Sequence, residues 1–149
     1  MDTTLPSRRH VPHWEYSGGT VCLTWRLHRL QGPLSGPERD VVLDVLALSG
    51  PEQCELLAAV VMDDHAHVLA RPAAGVCAKL LAQRWKSISS RRLTAQDRSA
   101  PVWQAEYFDR WMRSSGHRDA CARYILENPR RRWGGGEPYG WLIDNWTAR

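Results

Sequence analysis

The sequence predicts an α+β fold, an antiparallel sheet with helices on one face and a further C-terminal helix. Three observations predict it: strict polar–apolar alternation from Gly19 to Arg29, a paired apolar run around Asp63-Asp64, and helix-periodic segments on either side of that run. With 149 residues, 43% of them hydrophobic, and eight tryptophans, the chain can bury a real core as one domain spanning 1–149.

Residues 1–18 are rich in Pro, Ser, Arg and His and read as an N-terminal arm closed by a Ser17-Gly18-Gly19 turn. Its His10 and His13 form a metal half-site by spacing alone, though an irregular arm holds two imidazoles poorly. From Gly19 to Arg29, Leu23, Trp25 and Leu27 alternate with Thr24, Arg26 and His28, the pattern of a half-buried strand. Ser35 and Pro37 then supply a cap and an early helical proline for a helix from Glu38 to Leu48, which Ser49-Gly50-Pro51 ends.

Cys54 to Met62 and His65 to Ala70 form a hairpin turning at Asp63-Asp64. Pro72 to Gly75 breaks the sheet before a second helix, Val76 to Leu93, with a basic, hydroxyl-rich face from Lys86 to Arg92. A polar linker, 94–101, leads to an extended segment or short strand from Val102 to Met112. Ser114-Ser115-Gly116 offers caps for a third helix, His117 to Asn128, which Pro129 is expected to stop. Residues 134–149 form a C-terminal tail whose aromatic residues have no assigned place. The order strand, helix, strand, strand, helix, strand is that of a ferredoxin-like split arrangement.

The formal charge is +4, and the arginines and lysines gather after Arg84. Lys86, Arg91, Arg92, Arg130, Arg131 and Arg132 are the candidate phosphate contacts, against the plainer reading that they solvate helix faces. Cys22, Cys54, Cys77 and Cys121 are scattered, without the close pairs of a zinc clamp or a secreted disulfide framework. No signal peptide or membrane span is evident, so a cytoplasmic protein without membrane contact is expected.

Two pairs of residues carry chemistry. On a strand, His65 and His67 share one face with Cα atoms about 6–7 Å apart, close enough to reach one cation. Such a pair is also common as a hydrogen-bonded or surface feature. On the third helix, Tyr124 and Asn128 stand four residues apart on one face, a nucleophile beside an amide. A tyrosine at a core edge and an asparagine ending a helix before proline would look the same.

Taken together and in order, His65-Ala66-His67 and Tyr124-x-x-x-Asn128 resemble the single-tyrosine HUH transposases, in which U is hydrophobic. The REP-associated tyrosine transposase branch is also similar in Pro12-His13-Trp14-Glu15, Gly18-Gly19-Thr20 to Arg26-Leu27, Val60-Val61-Met62, Trp85-Lys86-Ser87, Trp103-Gln104, Tyr107-Phe108-Asp109-Arg110 and Asn128-Pro129. The resemblance covers roughly residues 8 to 133. It implies metal-dependent cleavage and joining of single-stranded DNA at hairpins, particularly repetitive extragenic palindromes.

On this resemblance His65, His67 and the Asn128 oxygen would bind a divalent ion, Mg²⁺ or Mn²⁺, and Tyr124 would attack the scissile phosphate to give a 5′-phosphotyrosine. Arg123 adjoins Tyr124 but faces elsewhere on the helix. Tyr107 is the competing nucleophile, and Trp14, Trp85, Trp103 and Trp111 either pack the core or stack on unpaired bases. Asp63 departs from the pattern, standing where many relatives have proline, either loosening the turn or influencing the metal. The alternative function is a catalytically silent hairpin-DNA-binding protein of the same ancestry; a third is an interaction module. The sequence leaves open a monomer or a homodimer, with the tyrosine acting in cis or in trans.

Overall fold

The computed structural model describes residues 18–147, so the arm with His10, His13 and Trp14 lies outside the described residues. Five strands and three helices follow in the order β1 (Val21–Arg26), α1 (Gly36–Ala47), β2 (Cys54–Val61), β3 (His65–Pro72), α2 (Ala78–Ala95), β4 (Phe108–Trp111), α3 (Ser115–Trp133) and β5 (Leu142–Asp144). The sheet runs β4-β1-β3-β2-β5, with every neighbouring pair antiparallel. Its first four strands have the ferredoxin-like order, and β5 extends the edge at β2.

Strand alternation divides the core in two. Val21, Leu23 and Trp25 of β1 join Ala66, Val68 and Ala70 of β3 on the face covered by α1 and α2. Trp25 stacks on Trp85 at 5.8 Å between ring centroids and meets Trp103 edge-on at 6.3 Å. The Trp85 indole donates to Ser49 Oγ at 2.8 Å and that of Trp103 to Ser89 Oγ at 2.9 Å. Both tryptophans are therefore core residues, the first of the two alternatives the sequence offers for them.

The other face belongs to α3. Its Ala122, Ile125 and Pro129 are buried at helical spacing, with Ala122 and Ile125 packing on Leu57, Val60, Met62 and Leu69. His65 and His67 share this face with Leu69, and across β1 they pair with Arg26 and Thr24. Two helices thus cover one side while the third lies over the histidines.

Helix starts were well marked in the sequence. Ser35 and Glu38 form a complete capping box at α1, and Ser114 Oγ accepts the His117 N–H at α3. The end of α3 was not. Pro129 does not stop the helix, which runs to Trp133 and terminates at Gly134 with φ +83. Proline removes one backbone donor, but its ring is buried, and contacts from Arg131, Arg132 and Trp133 hold the turn beyond it.

Two further boundaries differ from expectation. The extended segment 102–112 is only partly strand: β4 begins at Phe108, and Trp103 makes an isolated bridge to Leu27. Within the tail, Leu142, Ile143 and Asp144 pair with Val60, Ala59 and Ala58. Tyr139 donates its hydroxyl to the Val61 carbonyl at 2.5 Å, and Trp141 donates to Asp40 at 2.7 Å, so the tail's aromatics are built into the fold.

Candidate functional site

His65 and His67 are 7% and 8% exposed, with ring centroids 4.6 Å apart. Each ring is held from behind. His65 Nδ1 lies 2.6 Å from Asp64 Oδ1, and because a carboxylate only accepts, the imidazole donates there. This fixes the His65 tautomer that leaves the Nε2 lone pair free. His67 Nδ1 lies 2.7 Å from Thr24 Oγ1, its partner across the sheet.

Burial lowers the proton affinity of both rings. His67 is pushed down to about 3, first by desolvation and then by His65, Arg26 and Arg131. His65 is shifted down by desolvation, which its Asp64 partner opposes. Two neutral imidazoles at neutral pH are what a cation requires.

Tyr124 stands over this pair from α3. Its ring meets His67 edge-on at 5.7 Å, and it is 50% exposed, open to a large substrate. The Arg131 guanidinium sits 4.1 Å above the Tyr124 ring and donates to the Tyr124 carbonyl at 2.5 Å. One turn on, Asn128 occupies the same helical face, and one turn further Arg132 reaches Asp63 and Asp64 at 3.1 and 3.3 Å.

Helical spacing sets Asn128 midway between Tyr124 and Arg132. Tyr124 to Arg132 spans about 12 Å of helix, and His67 to Asp64 about 10 Å of extended chain. Tyr124 meets His67 and Arg132 meets Asp64, and Asn128 is the middle residue of that helical stripe. Two neutral nitrogens and an amide oxygen are a donor set suited to a divalent ion, so these residues fit the expected metal. Among the described residues, no group of three His, Cys, Asp or Glu side chains offers an alternative centre.

A cavity of about 510 Å³ opens beside the tyrosine, lined by Thr24, His67, Phe108, Arg110, His117 and Tyr124 among others. Its rim is basic. Arg26 and Arg131 both act electrostatically on His67, giving the histidine edge a field that suits phosphate.

The other expected phosphate contacts are spread more widely. Arg130 is exposed on the last turns of α3, while Arg91 is exposed on α2, across the sheet from the histidines. Arg92, also on α2, pairs with Asp44 at 2.8 Å. Lys86 donates to the carbonyls of Gln104, Ala105 and Glu106 at 2.6, 3.0 and 3.2 Å, pinning the loop before β4. Tyr107, the competing nucleophile, packs against the α1–α2 core and does not line the tyrosine cavity.

Thr24, Arg26 and the clamp made by Arg132 were not singled out from the sequence. Thr24 and Arg26 could have been found by parity, since they alternate with the core-facing Leu23 and Trp25. Arg131 and Arg132 are candidate phosphate contacts by sequence, but a helix ending at Asn128 would not carry them back to Tyr124 and the Asp63-Asp64 turn.

Comparison with known proteins adds an independent line. A family described as "Transposase IS200 like" matches residues 41–128, more than half of the chain and including both histidines, Tyr124 and Asn128. No curated protein sequence matches. Among solved structures, the chain is similar to a REP-associated tyrosine transposase bound to a REP hairpin: 18% identity, TM-score 0.64, covering 80% of this chain and 71% of that one. It also aligns with a candidate transposase from Deinococcus radiodurans R1 at 20% identity and TM-score 0.47, covering 73% and 88%. The first likeness shows a shared fold.

Proposed function

The chain belongs to the IS200-like transposase family, and we propose that it cuts and rejoins single-stranded DNA at hairpins through Tyr124. One observation carries this reading: a half-exposed tyrosine lies 5.7 Å, ring to ring, from a buried neutral histidine whose partner is 4.6 Å away, all within one chain. The bound hairpin in the structurally similar transposase supports the choice of substrate.

In the reaction, Tyr124 Oη bonds to the scissile phosphorus and the bond to the 3′ oxygen breaks. A 5′-phosphotyrosine and a free 3′-hydroxyl result, and the proton lost by the phenol is balanced by one gained at the 3′ oxygen. Phosphodiester energy is retained in the new ester, so the reverse attack rejoins the strand. His65, His67 and Asn128 would hold a divalent ion, Mg²⁺ or Mn²⁺, which when bound polarises the phosphate and stabilises its developing charge.

The rest falls to the protein. Asp64 and Thr24 orient the imidazoles, and Arg131 holds the Tyr124 ring while offering charge to the phosphate. Arg26 and Arg130 extend the basic edge along which a strand would lie. Lys86, Arg91 and Arg92 contact DNA only if the hairpin reaches the α2 face.

Incubation with a palindrome-derived hairpin bearing single-stranded flanks, in Mn²⁺, should give a covalent protein–DNA adduct resistant to denaturing gel electrophoresis. Tyr124→Phe should abolish it. An adduct that persists in Tyr124→Phe would refute the assignment, and tight hairpin binding without any adduct would make the chain a silent binding protein.

A further inference from the structure

Arg132 is the third residue of the stripe that starts at Tyr124, and it is out of reach of the nucleophile. Its two terminal nitrogens instead divide between consecutive carboxylates: Nη1 lies 3.3 Å from Asp64 Oδ1, and Nη2 lies 3.1 Å from Asp63 Oδ1 and 3.3 Å from Asp63 Oδ2. Asp64 Oδ1 is the same atom that accepts the His65 Nδ1 proton at 2.6 Å. A continuous path therefore joins the tyrosine helix to the ring of the first histidine.

We propose that Arg132 is a positioning residue, which locks α3 against the histidine turn and, through Asp64, fixes the angle of the His65 ring; this rests on the strand-cleaving reading above. Three observations bear on it. The backbone of the turn is secured without Arg132, since the Asp63 carbonyl accepts the Leu34 N–H at 2.6 Å and the Asp64 carbonyl accepts that of Leu27 at 2.8 Å. What Arg132 adds is a tie from the two carboxylates of that turn to α3.

The pair is also partly solvated, with Arg132, Asp64 and Asp63 side chains 40%, 45% and 21% exposed. Ion pairs of that kind contribute little to stability, so the clamp acts on geometry. Finally, the flat forked guanidinium can bridge two carboxylates at once, whereas an ammonium would serve as a point charge. Asp63 provides the second arm of the fork. The turn is tied to α3 by charge.

The competing role is a phosphate contact, and kinetics separate the two. In the full chain, Arg132→Ala should lower kcat for adduct formation about 10- to 100-fold, leave KM for the hairpin within about twofold and barely move the urea midpoint. Arg132→Lys should recover only part of kcat, and Asp63→Asn should fall between wild type and Arg132→Ala. Nitrogen-15 spectra of the imidazoles should show the His65 Nδ1 proton exchanging faster in Arg132→Ala.

An unchanged kcat would overturn the proposal, as would a rise in KM with kcat intact, which would make Arg132 a DNA contact. Should wild type form no adduct, the strand-cleaving reading fails by itself. The His65 spectra still decide the inference then, and an unaltered Nδ1 proton in Arg132→Ala would refute it.

Discussion

Replacing Thr24 by valine removes one oxygen and leaves the shape of the side chain. Thr24 faces His67 across β1 and β3, and its Oγ1 lies 2.7 Å from His67 Nδ1. His67 is 8% exposed, and the substitution leaves its Nδ1 without its protein partner. A buried polar group left without its partner costs about 1–3 kcal/mol, and the unfolding midpoint should fall accordingly.

The larger effect is on orientation. With Nδ1 released, the ring can turn about its Cβ–Cγ bond, and its other nitrogen no longer has a fixed direction toward Tyr124 and His65. Partners of this kind carry about 10- to 100-fold in metal affinity or activity. The assay is a Mn²⁺ titration of adduct formation on a hairpin substrate, with urea unfolding in parallel. Half-saturation should shift upward by that factor in Thr24→Val, while Thr24→Ser, which keeps the oxygen, stays near wild type. Equal Mn²⁺ dependence in wild type and Thr24→Val would refute the reasoning, because His67 would then be oriented by something other than Thr24.

Other consequences are independent of that contact. Ile125 is fully buried on the core face of α3, so Ile125→Ala should cost about 2–5 kcal/mol in urea unfolding and loosen the helix that carries Tyr124. Glu38 is held at about 2, chiefly by Arg98 and also by Ser35, against the usual 4.5. A lowered carboxylate stabilises the fold above its unfolded value, so this contribution should disappear as pH falls from about 4.5 to about 2; Glu38→Gln should flatten that part of the stability curve. Because α3 lies over the histidines of its own chain, mixing Tyr124→Phe with a His65→Ala, His67→Ala double variant should not restore adduct formation, whereas recovery would mean exchange of the helix between subunits.

Much of this architecture was open to sequence reasoning because periodicity reports burial. Leu23, Trp25 and Leu27 announced β1 and its core face, and Ser35 with Glu38 announced the start of α1. Strand and helix periodicity put His65 with His67 and Tyr124 with Asn128 on shared faces, and the structure brings Tyr124 and His67 together; the roles of these residues came from the family resemblance and not from the periodicity. Local rules failed where tertiary contacts outweighed them. Pro129 looks like a stop from its neighbours alone, yet burial of its ring and the anchoring of Arg131, Arg132 and Trp133 carry α3 another turn.

β5 was missed for a related reason. Leu142 to Asp144 is too short to show alternation and exists as strand because it pairs with β2. Lys86 shows the converse, a charge read as available to phosphate that instead holds three carbonyls of its own chain.

The proposed chemistry requires that Tyr124, and no other group, become joined to DNA. Protease digestion of the adduct formed on a hairpin strand in Mn²⁺, followed by mass spectrometry of the nucleotide-bearing peptide, tests it directly. The phosphate should be found on Tyr124, with the other fragment ending in a 3′-hydroxyl. Phosphate on Tyr107, or a strand cut with no protein attached, would contradict it.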